Sequence, residues 1–245
     1  MRWSYGEIVA RALLAGAVVG VVLAAYVLVV VEPAIDAAVG LEVAAGHDGE
    51  ALFTRGQQKG GATVASVVYA VVVAGVFGTV YAAVRHRVPA ASELARASWL
   101  AAVGFVALAL VPALAFPANP PGADASAGPT SRTLSYGLCL VVAVVVAVAL
   151  TRLSGVLRTH LSAPTRILVV TVAGVVAYGL VLVALPSGPD PAAALPADLV
   201  WDFRVRSLGA LALVWGGIGL GLGWLLDRAA LDPAVGTEAV TGDSR

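Results

Sequence analysis

Residues 42–50 gather Glu42, His47, Asp48 and Glu50 into one short polar stretch. An imidazole beside carboxylates can collect a divalent cation, because borderline ions accept both nitrogen and oxygen ligands. One imidazole among flexible acids also reads as a solvated acidic loop, and the residues leave both readings open. Gln57 and Gln58 follow in the run FTRGQQKGG, Phe53 to Gly61. Two adjacent amides offer neutral carbonyl oxygens, and Gly60 and Gly61 let backbone come close.

Other chemistries find no support in the residue types. Met1 is the only methionine, which argues against thioether capture of a soft ion. Cys139 is the only cysteine and has no intrachain disulfide partner. Lys59, the only lysine, precedes Gly60 rather than Ser or Thr, so the chain has no phosphate-binding Gly-Lys-[Ser/Thr] loop. His86 and His160 have neither a nucleophile nor metal-ligand spacing nearby. No enzyme is expected, and no permanently bound cofactor. A formal net charge of zero gives no reason to expect a nucleic-acid partner.

The elements that must position these residues are set by hydropathy. Six runs carry no charged residue: Ala12–Val31, Gly60–Val84, Ala97–Phe116, Thr133–Thr151, Ile167–Leu185 and Ser207–Leu226. A helix rises 1.5 Å per residue, so about 20 apolar residues cross a hydrocarbon core roughly 30 Å thick. The chain is therefore expected to be all-α, a polytopic membrane protein with a six-transmembrane-helix bundle. Residues 1–231 form a single transmembrane domain in this reading. Its spans lie at about 8–31, 62–84, 97–116, 134–151, 167–185 and 207–226. Residues 232–245, small and polar, read as a disordered cytoplasmic tail. The first run stops at Glu32-Pro33 without a small-residue cleavage signal, so it reads as a retained helix.

Arginines orient the bundle. Arg2 and Arg11 precede the first span; Arg85, Arg87 and Arg96 join the second to the third. Arg152, Arg158 and Arg166 join the fourth to the fifth, and Arg228 and Arg245 follow the sixth. The positive-inside rule then puts both termini in the cytoplasm of a plasma-membrane protein, with the bilayer as its first partner. Trp3, Trp99 and Trp224 fall near inner ends and Trp201 near an outer one, where amphipathic rings prefer to sit. Mid-span Trp215 is expected to pack against neighbours.

Glycines set the packing. Gly16 and Gly20 form a small-xxx-small pair in the first span, and Gly219 and Gly223 another in the sixth. Ordinary packing within the bundle explains them better than a dimer seam, and the glycine-rich sixth span reads as the most enclosed.

On the outer side, FPANPPG (Phe116–Gly122) reads as rigid irregular backbone, with Pro112 kinking the helix before it. Residues 195–207 read as a short amphipathic helix feeding the last span. In it Asp198 caps, or pairs with Arg204 or Arg206, rather than binding a ligand. The spans hold no charged residue at mid-depth, which argues against a proton relay built on buried carboxylates. A permeation path would use Ser66, Tyr69, Thr79, Tyr81, Tyr136, Thr171 or Tyr178. Gln57 and Gln58 are expected to face protein or a wet cavity, since an unpartnered amide is costly at membrane depth.

Four stretches carry a resemblance. FTRGQQKGG before the second span, VFGTVYAAVRHR at its end, FPANPPG after the third and LPADLVWDFRVRSLG before the sixth closely resemble the CbtA family. These are predicted cobalt transporter subunits of bacterial and archaeal membranes. The resemblance runs in order through nearly the whole chain. It implies a membrane permease subunit for a divalent transition-metal ion, most of all Co²⁺. It also implies a small one-span, histidine-rich CbtB-like partner. Many relatives look histidine-rich in the first outer loop, where this chain has only His47, which increases the need for that partner. Carried over residue by residue, the motif positions are Arg55, Gly60, Gly61, Phe77, Gly78, Tyr81, Pro120, Pro121, Arg132, Asp198, Trp201, Phe203 and Arg204. Because Co²⁺ takes nitrogen and oxygen donors, its entry or transport ligands would come from His47, Asp48, Glu42, Glu50, Gln57, Gln58 and Asn119. The contrasting reading is a non-transporting membrane scaffold or assembly partner whose rigid outer loops bind another protein.

Overall fold

The computed structural model describes residues 3–46, 53–88, 90–123, 129–184, 192 and 195–231, with backbone alone at 129–132. Those residues form helices and their connections. The order is α1 (Tyr5–Tyr26), a π turn (Val27–Val31), α2 (Glu32–Ala44), α3 (Arg55–Val84) and a 3₁₀ turn (Arg85–Arg87). Then come α4 (Glu93–Phe105), a second π turn (Val106–Leu110), α5 (Val111–Ala115), α6 (Pro129–Leu157), α7 (Ala163–Ala184) and α8 (Ala197–Ala230). Among the described residues six helical segments are long and apolar enough to cross a membrane, and each contains one charge-free run or most of it. The expected tail at 232–245 lies outside the described residues.

Two helices begin on capping boxes. Ser4 accepts from the Glu7 amide while Glu7 accepts from the Ser4 amide at 2.8 Å, and Thr54 and Gln57 repeat the exchange ahead of α3. Each pair satisfies backbone donors that a helix start leaves orphaned.

Helix continues where the sequence suggests a stop. Glu32-Pro33 does not release the chain into a loop; α2 carries it on to Ala44. Pro33 and Pro112 each stand two residues after a five-residue π turn. A proline ring collides with the carbonyl four residues back, and the wider π turn relieves that collision without ending the helix. Nor is the segment before the sixth span a separate helix. Asp198 to Ser207 are the first turns of α8, which runs unbroken for 34 residues.

Packing divides the chain into two units. The first takes Met1–Glu32, Ala51–Ala102 and Ala210–Arg245. Its core joins Ile8, Ala12, Val19 and Leu23 to Ala70, Ala74, Phe77 and Tyr81, and to Ala97, Ala101, Val214, Ile218, Leu222 and Leu226. Glycine lets these helices touch backbone to backbone. A Cβ on Gly16 would stand 2.5 Å from Ala74 Cβ and 2.9 Å from the Ala70 carbonyl oxygen. One on Gly20 would stand 2.8 Å from Val67 Cα, and one on Gly223 would stand 3.0 Å from the Glu93 carbonyl oxygen. Both small-residue pairs are therefore used inside the chain, as expected. The most enclosed span is the first rather than the sixth: over their most apolar stretches 39% of its residues are buried, against 28%. Trp215 packs edge-on to Phe77, with ring centroids 6.4 Å apart.

The second unit takes Pro33–Glu50 and Val103–Gly209. Its core is smaller, with Ala107 and Val111 against Cys139, Ala143 and Ala147, flanked by Tyr178, Val181 and Leu182. Long faces of α6 and α7 are exposed, including Val141, Val145, Leu168, Val175 and Leu180. Such faces suit lipid, which solvates apolar side chains as well as a neighbouring helix does.

Candidate functional site

At the start of α3 in the first unit, Arg55 stands between two acceptor oxygens. Its Nη2 donates to Glu32 Oε2 at 2.6 Å and its Nη1 to Gln58 Oε1 at 2.6 Å. Lys59 Nζ lies 4.0 Å from the same Glu32 oxygen. Glu32 follows directly on the first π turn and is only 4% exposed. A carboxylate so buried requires a cation beside it, and here the guanidinium supplies the charge. Gln58 also donates through Nε2 to the Phe53 carbonyl at 3.1 Å. Gln57 spends its carbonyl oxygen on the Thr54 amide and hydroxyl. Both glutamine side chains are exposed and engaged by their own helix start, rather than turned into a cavity. Gly60 and Gly61 have open space where a Cβ would go, so packing gives no reason for glycine there.

The second unit orders its proline-rich segment by a clamp. Arg204 Nη2 donates to Asn119 Oδ1 at 2.8 Å, and Arg204 Nε to the Ala118 carbonyl at 3.3 Å. Pro120 is buried, and Pro121 leads into Gly122 at φ +81°, a conformation that favours glycine. A Cβ on Gly122 would also press on Glu42 Cγ and Oε1 at 3.1 Å, so the Glu42 side chain lies across this turn. Phe116 meets Tyr136 edge to face at 6.0 Å. Asp198 is exposed in the first turn of α8, where its charge favours the helix dipole, while Asp202 rather than Asp198 pairs with Arg206. Phe203 is half-buried and Trp201 is 71% exposed.

The far end of α3 carries a second polar cluster in the first unit, which the residue types alone did not suggest. Glu93 Oε1 accepts from Arg85 Nη2 at 3.0 Å and from Arg96 Nη1 at 2.6 Å, and Glu93 Oε2 accepts from the Tyr81 hydroxyl. The Glu93 and Leu94 amides both donate to the Asp227 carboxylate at 2.9 Å. Asp227, on α8, thus caps α4. Arg96 also binds the Val88 and Ala90 carbonyls, pinning the connection between α3 and α4. Gly78 lets α1 approach this end, since a Cβ there would come within 2.6 Å of Ala12 Cβ. Phe77 stacks on Tyr81 at 6.3 Å. A signal for the cluster existed: Glu93 and Asp227 are acids amid the arginine-rich connections.

His47, Asp48 and Glu50 lie outside the described residues, as does the side chain of Arg132. Among the described residues no three His, Cys, Asp or Glu side chains come together. Several hydroxyls proposed for a path already have partners. Ser66 donates to the Ala62 carbonyl, Thr79 to that of Gly75, Tyr178 to that of Ala143 and Tyr81 to Glu93.

The family described as "Probable cobalt transporter subunit (CbtA)" matches residues 5–227. The chain belongs to the CbtA family. In this CbtA protein the motif glycine Gly78 closes a helix contact and Tyr81 holds Glu93, while Arg204 and Asn119 clamp the proline-rich turn. The six apolar helices fit a multi-pass membrane protein, as a CbtA transporter subunit requires. No curated protein and no solved structure matches the chain.

Proposed function

We propose that this CbtA protein is the permease subunit for Co²⁺ uptake across the plasma membrane, with both termini in the cytoplasm. The observation that carries the reading is the family match across residues 5–227. Arg55 acts as a resident cation between Glu32 and Gln58. An arriving Co²⁺ exchanges with the guanidinium and takes the two oxygens. Two donors hold an ion loosely, as an entry point must, because ions have to leave as well as bind. His47, Asp48, Glu42 and Glu50 collect the ion from solution. A small one-span, histidine-rich subunit presents it.

The test is labelled Co²⁺ and Ni²⁺ uptake in cells lacking other high-affinity transporters, with the gene alone and beside its small partner. Saturable Co²⁺ uptake whose KM rises several-fold in Glu32→Gln and Gln58→Ala is expected. Absence of uptake with a well-inserted protein in both settings overturns the permease reading. It favours a scaffold, which the Arg204 clamp on the 118–122 segment would suit by presenting a rigid surface.

A further inference from the structure

An open cleft of about 470 Å³ lies between the first part of α1 and the last turns of α8, within the first unit. Ala10, Leu14, Leu225 and Ala229 form its apolar floor, and Arg11 and Arg228 stand at its edge. Each arginine is held over an indole face. The Arg11 guanidinium carbon is 4.6 Å from the Trp3 ring centre, and that of Arg228 is 5.1 Å from the Trp224 ring centre. Stacking of this kind fixes where the positive charge sits. The neighbouring acids each hold a helix start, and Glu7 also lies near enough to Arg11 to attract it. Glu7 accepts from the Ser4 amide and hydroxyl, and Asp227 accepts from the Glu93 and Leu94 amides. The cleft therefore combines an apolar strip with two positioned guanidiniums.

We infer that this cleft holds one anionic phospholipid, its phosphate between Arg11 and Arg228 and an acyl chain along Leu14 and Leu225. Two independent features agree on that occupant. The apolar floor belongs to helices that cross the membrane, so acyl chains are the adjacent medium. Arginine forks match phosphate oxygens bidentately, and interfacial tryptophans mark the depth at which headgroups lie. Free phosphate would use the guanidiniums but leave the floor uncovered. A zwitterionic lipid would cover the floor and bring a positive headgroup to two arginines. The site is independent of which ion the protein carries and rests only on its spanning the membrane.

The experiment is native mass spectrometry of the full chain released from nanodiscs of equal parts phosphatidylglycerol and phosphatidylcholine. One retained phosphatidylglycerol per chain is expected, undisturbed by millimolar inorganic phosphate. Arg11→Gln/Arg228→Gln should lower its occupancy at least fivefold, and Arg11→Lys/Arg228→Lys, which keeps the charge but not the fork, should fall between that variant and the parent. Arg87→Gln, an exposed arginine outside the cleft, should leave it unchanged. Equal retention of both lipids overturns the inference, as does displacement by inorganic phosphate. An equal loss in Arg87→Gln also overturns it, since that would reflect general surface charge.

Discussion

The two units are built by different means. In the first, helices meet at glycine, and Glu93 draws Tyr81, Arg85, Arg96 and the Asp227-capped helix start into one buried network. In the second, Gly137, Gly155 and Gly179 have open space at the Cβ position, and α6 and α7 bury only 17% and 11% of their most apolar stretches. The first unit is held by close backbone contact and a buried charge cluster in which Arg85 Nη1 alone lacks a hydrogen-bond partner; the second is held by a few alanine contacts beside exposed valines.

Substitutions can break the contrast. The largest effect is expected from Glu93→Ala, which strands Arg85 and Arg96 beside each other with Arg85 only 8% exposed. Removing one member of a buried ion pair costs about 3–5 kcal/mol, read as lost resistance to denaturant in mixed micelles. Gly16→Val comes next, because the new methyls meet the α3 backbone near Ala70. Overpacking there should cost about 1–3 kcal/mol by the same measurement. A paired comparison sharpens the point. Tyr81→Phe removes a hydrogen bond to a carboxylate and should cost about 1.5–3 kcal/mol, whereas Tyr178→Phe removes one to a neutral carbonyl and should cost about 0.5–1.5 kcal/mol. The smallest effect belongs to Gly137→Ala, expected within about 0.5 kcal/mol of the parent because nothing lies near the new methyl. A Gly137→Ala loss as large as that of Gly16→Val would erase the distinction between the units.

What the sequence made legible was what local residues decide. Charge-free runs mark spans because the bilayer excludes charge whatever the neighbours are, and all six appear as helices. Gly16, Gly20, Gly219 and Gly223 announced close packing because only glycine leaves room for it. The rest depends on partners far along the chain. Asp227 and Glu93 are separated by 134 positions, so no window of sequence joins them. Pro33 looked like a stop because the rule against proline in a helix assumes regular α geometry, which the π turn escapes. Gln57 illustrates a competition within reach of sequence reasoning. Thr54-x-x-Gln57 fits a capping box, and helix initiation takes the carbonyl oxygen that a metal would have used.

The most direct measurement is Co²⁺ entry into sealed vesicles holding the purified protein, with and without the proposed small histidine-rich subunit. The vesicles carry a Co²⁺-quenched dye inside and an inside-negative potential. Saturable quenching above protein-free vesicles is expected when both subunits are present, with half-saturation shifted to higher Co²⁺ in Gln58→Ala. Quenching no faster than in protein-free vesicles, from correctly inserted protein with its partner, would contradict it.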